Sequence, residues 1–269
     1  MTTETLERDQ TREKTQRQYD GRANFRADDD IEALLEEHFE RHGVTKREIC
    51  RNFQIYSRRV FQKRYLAHYE LFRRTIELPG DIVELGVYRG ASLMNWANFL
   101  EVRCMGDRAK QVIGFDNWQG FTEFAPEDGG EDLRVNKVIG GYNGGEFKAI
   151  LEEAIAIYDR DRFIPYKPRI VLVDGQIEQS VPRFVREQPG LRISLLHVDC
   201  DLYRPTRVAL EELWPRIVTG GVLVLDDYGV RPWEGESRAA DEFFMDKGIV
   251  LKRFDWAHCP GAYAVKGER

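Results

Sequence analysis

Asp81-Ile-Val-Glu-Leu-Gly-Val-Tyr-Arg-Gly-Ala-Ser92 decides the fold. A short apolar run containing one acid ends in two spaced glycines and a helix start, which reads as strand, tight turn and helix. Glu84, Gly86 and Gly90 follow the pattern acid-x-Gly-x-x-x-Gly. A dinucleotide fingerprint instead needs Gly-x-Gly-x-x-Gly to bring backbone amides against a pyrophosphate, and Tyr88 and Arg89 break it. A cofactor without phosphates needs only a tight turn, backbone contact and a nearby acid. The loop therefore points to S-adenosylmethionine rather than NAD or ATP, with Glu84, Gly86, Val87, Tyr88, Gly90 and Ser92 as candidate contacts.

Downstream, apolar runs near 81–86, 111–116, 168–173, 193–199 and 221–226 alternate with helical stretches, the pattern of a parallel α/β sheet. Segments 248–254 and 261–265 are separated only by Asp255 to Pro260, too few residues for a helical crossover, so they are expected as an antiparallel pair. The expectation is a Rossmann-like α/β fold of seven mostly parallel strands with an antiparallel last strand, the finish of a methyltransferase sheet. Ligands of such sheets sit at the carboxyl ends of the strands. Asp116 ends the second strand, placed to accept hydrogen bonds from ribose hydroxyls. Trp118 and Phe121 follow it, as walls for adenine or sulfonium or equally as core. Gly175 and Gln176 leave the third strand, and fold analogy places them at the adenine.

The fourth and fifth runs both end in paired acids, Asp199-Cys200-Asp201 and Asp226-Asp227. Adjacent strand ends lie about 5 Å apart, so these carboxylates converge and need a cation or protons between them. Hard oxygen ligands select Mg2+ or a similar divalent ion. The plainer reading makes Asp201 and Asp227 caps of the helices that follow. His197 reads as a hydrogen-bonded core histidine and His258 as a surface turn residue.

The flanking sequence sets the limits. Residues 1–28 are too polar to bury a core and are expected to form a flexible arm. Residues 29–78 form a helical extension, with apolar residues three or four apart from Thr45 to Ile76, and Arg58, Arg59, Lys63, Arg64, Arg73 and Arg74 on a solvated face. Residues 79–269 form the catalytic domain, with 122–145 as a lid loop. A net charge of -6 argues against nucleic acid as the main partner. There is no signal peptide or membrane-length apolar run, and four dispersed cysteines suit reduced thiols in a cytoplasm.

Residues 67–92, 197–206 (HVDCDLYRPT), 219–229 (TGGVLVLDDYG) and 235–243 (GESRAADEF) together resemble the macrocin O-methyltransferase family, whose TylF- and MycF-type members methylate deoxysugar hydroxyls. The resemblance runs over about residues 45–265. It implies a seven-stranded class I methyltransferase fold, S-adenosylmethionine, a homodimer, a small glycoside or sugar as substrate, and Mg2+ on Asp199, Asp226 and Asp227. Relatives often read Asp-Gly-Asp and Glu-Ser-Thr where this chain has Asp199-Cys200-Asp201 and Arg204-Pro205-Thr206, so the acids carry over and the acceptor contacts do not. Asp199 is the candidate general base, and also touches the cofactor; Asp201 is the second candidate. A catechol-like phenol would chelate the same ion, and a catalytically silent S-adenosylmethionine-binding protein is the reading outside the enzyme class.

Overall fold

The computed structural model describes residues 28–268. The arm expected over residues 1–28 thus falls, apart from Asp28, outside the described residues. In chain order the elements are α1 (Asp28–His42), α2 (Lys46–Arg51), α3 (Phe53–Tyr56), α4 (Arg59–Arg73), β1 (Asp81–Leu85), α5 (Ala91–Cys104), β2 (Val112–Asp116), α6 (Gly145–Asp161), β3 (Ile170–Asp174), α7 (Ile177–Glu187), β4 (Ile193–Val198), α8 (Tyr203–Leu213), β5 (Ile217–Leu225), α9 (Glu234–Phe244) and β6 (Ala262–Val265). Two compact units result. One comprises the chain up to Lys63 with Asp132–Val138, the other Arg64–Glu131 with Ile139 onward.

In the first unit, Thr45 and Glu48 start α2 with reciprocal hydrogen bonds, Glu48 N–H to Thr45 Oγ1 at 3.3 Å and Thr45 N–H to Glu48 Oε2 at 2.8 Å. The long periodic stretch from Thr45 is broken at Asn52 and Ser57 into three helices, because Ser57 is extended and Asn52 sits outside the helical region. α2 and α3 bury no residue.

In the second unit the sheet runs β3-β2-β1-β4-β5-β6. Neighbours are parallel except β5 and β6, which are antiparallel. The sheet has six strands where seven were expected. Segment 248–254 meets it only at a bridge between Lys252 and Tyr263. Gly248 turns the chain just before it (φ 64), and Val250, Lys252 and Arg253 are exposed, leaving little apolar area to hold a longer ladder.

Both faces of the sheet are covered, which is why its strands read as continuous apolar runs. Val83, Leu85, Leu196, Val198, Leu223 and Leu225 join the core under α7, α8 and α9. Ile82, Val112, Leu195, Val222 and Val224 join the opposite core with Leu71 and Phe72 of α4 and Leu93, Trp96 and Leu100 of α5. Beyond the end of α4 the buried Lys110 donates to the carbonyls of Thr75 and Leu78, tying down the turn that precedes Pro79. Among the described residues no helix is long and apolar enough to cross a membrane, and all four cysteines are free.

Gly86 fixes how the turn after β1 meets β4. Its φ is 87° and a Cβ there would lie 1.7 Å from the Asp199 carbonyl oxygen, so the glycine is required by a neighbouring strand. Gly86→Ala should cost about 3 kcal/mol or more, from strain at positive φ plus the clash. Urea denaturation measures it; a loss below about 1 kcal/mol would mean that the approach of the two strands is not fixed.

Candidate active site

β4 and β5 pair in register, with His197 opposite Val224 and Val198 opposite Leu225, which brings the acids beyond them level. The Asp199 amide donates to the Leu85 carbonyl at 2.9 Å and the Asp226 amide to the Val198 carbonyl at 3.0 Å. Three adjacent strands therefore lock both residues. Asp199, Asp226 and Asp227 each offer a carboxylate oxygen within 4.8 Å of the others. Asp201, held at φ 62, shares a hydrogen bond with Asp227, which requires a proton on one of the two. Neither acid caps a helix. α8 lacks a cap from its own flank, and Asp128 supplies one instead, accepting the Tyr203 N–H at 2.7 Å. From α9 the buried Glu236 accepts the Asp227 N–H at 3.0 Å through Oε1 and has no partner for Oε2.

Positive charge is threaded through this cluster. His197 is fully buried, with Nδ1 3.1 Å from Glu84 Oε2 and Nε2 3.4 Å from Asp226 Oδ1. A carboxylate facing each nitrogen favours the imidazolium form of the ring. Burial pulls its pKa down, but the hydrogen bonds to Asp226 and Glu84 outweigh that and raise it to about 10. Arg64 Nη2 lies 2.7 Å from Asp199 Oδ2 and 3.0 Å from Asp226 Oδ2. The Cys259 thiol donates to the same Asp226 oxygen at 2.9 Å. Burial pushes Asp226 up, yet Arg64 and His197 hold it well below the usual carboxylate range. Asp199 is raised to about 7 by burial and by Asp226, against the pull of Arg64. Asp201 is raised to about 8 by burial and by Asp199. Burial and neighbouring acids likewise push Asp227 and Glu236 well up.

At the other half of the edge, the turn after β1 carries Tyr88 at φ 51 and Gly90 at φ 83, where α5 begins. Asp116 ends β2 and accepts the Tyr88 N–H at 2.8 Å and the Trp118 N–H at 2.6 Å. Burial raises its pKa despite those bonds. Asp174 stands opposite Asp116 in register and takes the Trp118 indole N–H at 2.8 Å and Lys148 at 2.5 Å. Gly175 turns away from β3 at φ 122, and the Gln176 carboxamide bridges Asn117 and Thr122. Phe121, Tyr142 and Trp233 form an aromatic cluster with ring centroids 5.5 to 5.9 Å apart.

The candidates named from sequence divide by exposure. Gly86, Tyr88, Asp116, Gly175, Gln176, Asp199, Asp201 and Asp227 are partly accessible. Glu84, Val87, Gly90, Ser92, Trp118, Phe121 and Asp226 are buried. Glu84 accepts from Ser92 at 3.1 Å and from the Trp96 indole at 2.8 Å, besides meeting His197, so it ties the turn to the acid cluster from beneath. His258 is exposed. Sequence reasoning missed Arg64, placed there on a solvated face, together with Glu236 and Cys259. For Arg64 a signal existed: His68, one turn on, interrupts the apolar stripe of α4 and is fully buried against Trp96.

A tight turn after β1, acids closing β2 and β3, and a carboxylate cluster beyond β4 and β5, on a sheet with an antiparallel last strand, define a methyltransferase-type α/β fold. Residues 3–259 match the model of the macrocin O-methyltransferase (TylF) family, and the chain belongs to that family. It is 31% identical over 155 residues to the 8-demethyl-8-(2,3-dimethoxy-alpha-L-rhamnosyl)-tetracenomycin-C 4'-O-methyltransferase of Streptomyces olivaceus, covering 57% of this chain and 54% of that one. It is 28% identical over 154 residues to the mycinamicin III 3''-O-methyltransferase of Micromonospora griseorubida, covering 56% of each. These matches thus span little more than half of either relative's length. Among solved structures, CalS11, a calicheamicin methyltransferase, superposes with a TM-score of 0.83 at 25% identity, over 91% of this chain and 94% of that one. The O-methyltransferase NovP, with a TM-score of 0.54 at 23% identity over 77% of this chain and 80% of that one, shares the fold.

The buried imidazolium predicts a pH signature. The folded-state pKa of His197 lies above its ordinary value of about 6.5, so its stabilisation is complete below that pH and is lost as pH rises through about 10. The difference in unfolding free energy between wild type and His197→Gln should accordingly be largest below pH ~6.5 and shrink toward pH ~10. Urea titrations across that range check it, and a difference that grows with pH contradicts the assignment.

Proposed function

We propose that the protein is an S-adenosylmethionine- and Mg2+-dependent O-methyltransferase acting on a hydroxyl of a deoxysugar carried by a glycosylated natural product. One observation carries the reading: oxygens of Asp199, Asp226 and Asp227 gather within 4.8 Å at the strand edge that also bears the glycine turn. The donor set fits a hard divalent cation, being all carboxylate, with Asp199 and Asp227 pushed up by burial and by neighbouring acids. The turn after β1 and the partly accessible Asp116, Gly175 and Gln176 fit a nucleoside without phosphates. The names of the tetracenomycin and mycinamicin relatives support methyl transfer to oxygen, and the rhamnosyl group in the first name favours a sugar acceptor.

S-adenosylmethionine supplies an electrophilic methyl group. Mg2+ on Asp199, Asp226 and Asp227 would act as a Lewis acid toward acceptor oxygens. The chain's own part is to place and deprotonate the acceptor hydroxyl. Asp199 suits the base role, because it follows β4 beside the turn after β1, where its amide is bonded to the Leu85 carbonyl. Asp201, its pKa raised by burial to about 8, is the second candidate. Phe121, Tyr142 and Trp233 form an apolar aromatic wall that could line the bound cofactor or the acceptor. The proposal includes a cytoplasmic homodimer; exposed Leu34, Phe53, Ile55 and Phe61 of the N-terminal helices support self-association.

Calorimetric titration of metal-stripped protein with S-adenosylmethionine, then with Mg2+, tests the reading. Wild type should bind both, and the Asp226→Asn, Asp227→Asn double variant should lose Mg2+. Asp199→Ala should lower the transfer rate about 10^2- to 10^4-fold. Screens with glycosides and catechols then fix the acceptor class. Cofactor binding without turnover on any acceptor would make the protein a silent binder, and no binding of S-adenosylmethionine at millimolar concentration would end the proposal.

A further inference from the structure

The metal-ligand reading leaves Arg64 unexplained, and its position is specific. Asp226 turns Oδ1 toward the buried His197, and its Oδ2, which also accepts from the Cys259 thiol, faces Arg64. Arg64 Nη2 sits 3.0 Å from that atom and 2.7 Å from Asp199 Oδ2. A single guanidinium nitrogen thus bridges the carboxylates that follow two strands, both of them among the three acids that could hold a divalent ion.

We infer that Arg64 is a built-in counter-cation that holds the acid cluster together without metal and must be displaced when a divalent ion binds Asp199 and Asp226. The inference rests on the metal reading above. A guanidinium keeps its charge at any working pH, so it cannot clear the site by losing a proton and has to move. The chain allows that. Arg64 is 39% exposed where Asp226 is 4% exposed, and no residue from Arg51 to Leu66 is buried. From Ala67 and His68 onward α4 is anchored in the core, so the side chain can swing while its helix stays fixed. The acids cannot follow, because their backbones are bonded to β1 and β4.

The alternative is that Arg64 buttresses the site, keeping mutually repelling acids in place for the ion. The two roles predict opposite effects of removing the charge. Displacement means that ion binding includes the cost of breaking the Arg64 pairs, so Arg64→Met should bind Mg2+ more tightly, by at least about fivefold, the lower end of typical coupling between two bound states. Its metal-free form should melt lower and gain more from Mg2+ than wild type does. A buttress predicts weaker Mg2+ binding by Arg64→Met.

The experiment is calorimetric Mg2+ titration of full-length wild type and Arg64→Met, with melting curves with and without Mg2+. Peptide mass spectrometry of wild type labelled with an arginine-selective dicarbonyl accompanies it. Tighter binding by the variant, with faster labelling of Arg64 in wild type when Mg2+ is present, is the expected result. Equal or weaker binding by a folded variant, or labelling of Arg64 unchanged by Mg2+, overturns the inference and leaves the metal reading intact. If Arg64→Met does not fold, the wild-type labelling decides. If neither protein binds Mg2+, the metal reading itself fails and this inference with it.

Discussion

Carboxylates from β4, β5 and α9 crowd one strand edge, and the architecture of the site follows from the need to keep them there. In a partly buried setting like charges a few ångströms apart are costly, and each is tolerated only with a cation or a proton beside it. His197 is the fixed part of that compensation. Pinned between Glu84 and Asp226, it transmits the hold of Ser92 and Trp96 on Glu84 to the metal-ligand candidates. The glycine turn and the acid cluster are therefore halves of one bonded network. Strain collects along the same edge, with Tyr88, Trp118 and Asp201 all at positive φ where the chain leaves β1, β2 and β4.

The strand positions, and the convergence of the acids that follow β4 and β5, were legible because they depend on short-range signals. Runs such as Leu195 to Val198 and Val222 to Leu225 are wholly buried and therefore wholly apolar apart from His197, and each stops at its acids. The resemblance carried by HVDCDLYRPT and TGGVLVLDDYG implies which of those acids would hold a metal, Asp199, Asp226 and Asp227. The missing strand was less legible. Segment 248–254 has the apolar content of a strand, but Ile249 and Leu251 are only half-buried, and a ladder is decided by how much neighbouring surface covers it.

What stayed hidden came from contacts distant in the chain. Asp128 reaches across 75 positions to cap α8, and nothing in its surroundings announces that partner. Asp201 stands two residues ahead of the same helix and looks like the natural cap, yet its positive φ turns it to Asp227. Arg64 is separated from Asp199 by 135 positions and shares α4 with Arg59, Lys63 and Arg73, with Arg58 and Arg74 just outside its ends, so composition alone assigns them all to solvent. Glu236 hides in the opposite way, as one acid among several at the start of α9, the first turn being where acids are ordinary.

A division of labour follows from where these groups are mounted. The acids sit on short side chains at the ends of buried strands, where the backbone is already ordered and little further entropy is lost in holding them in place. The histidine that balances Asp226 is equally fixed, with no exposed surface. Arg64 alone among these groups has a long stem on a stretch of helix with no buried neighbour before Ala67. On the metal reading proposed above, a rigid set of negative ligands and rigid partial compensation leave a remainder of charge for Arg64 to balance in the two states. On the same reading the network separates what is positioned for chemistry from what yields to it, and the separation follows burial: Asp226 at 4% exposed and Arg64 at 39%.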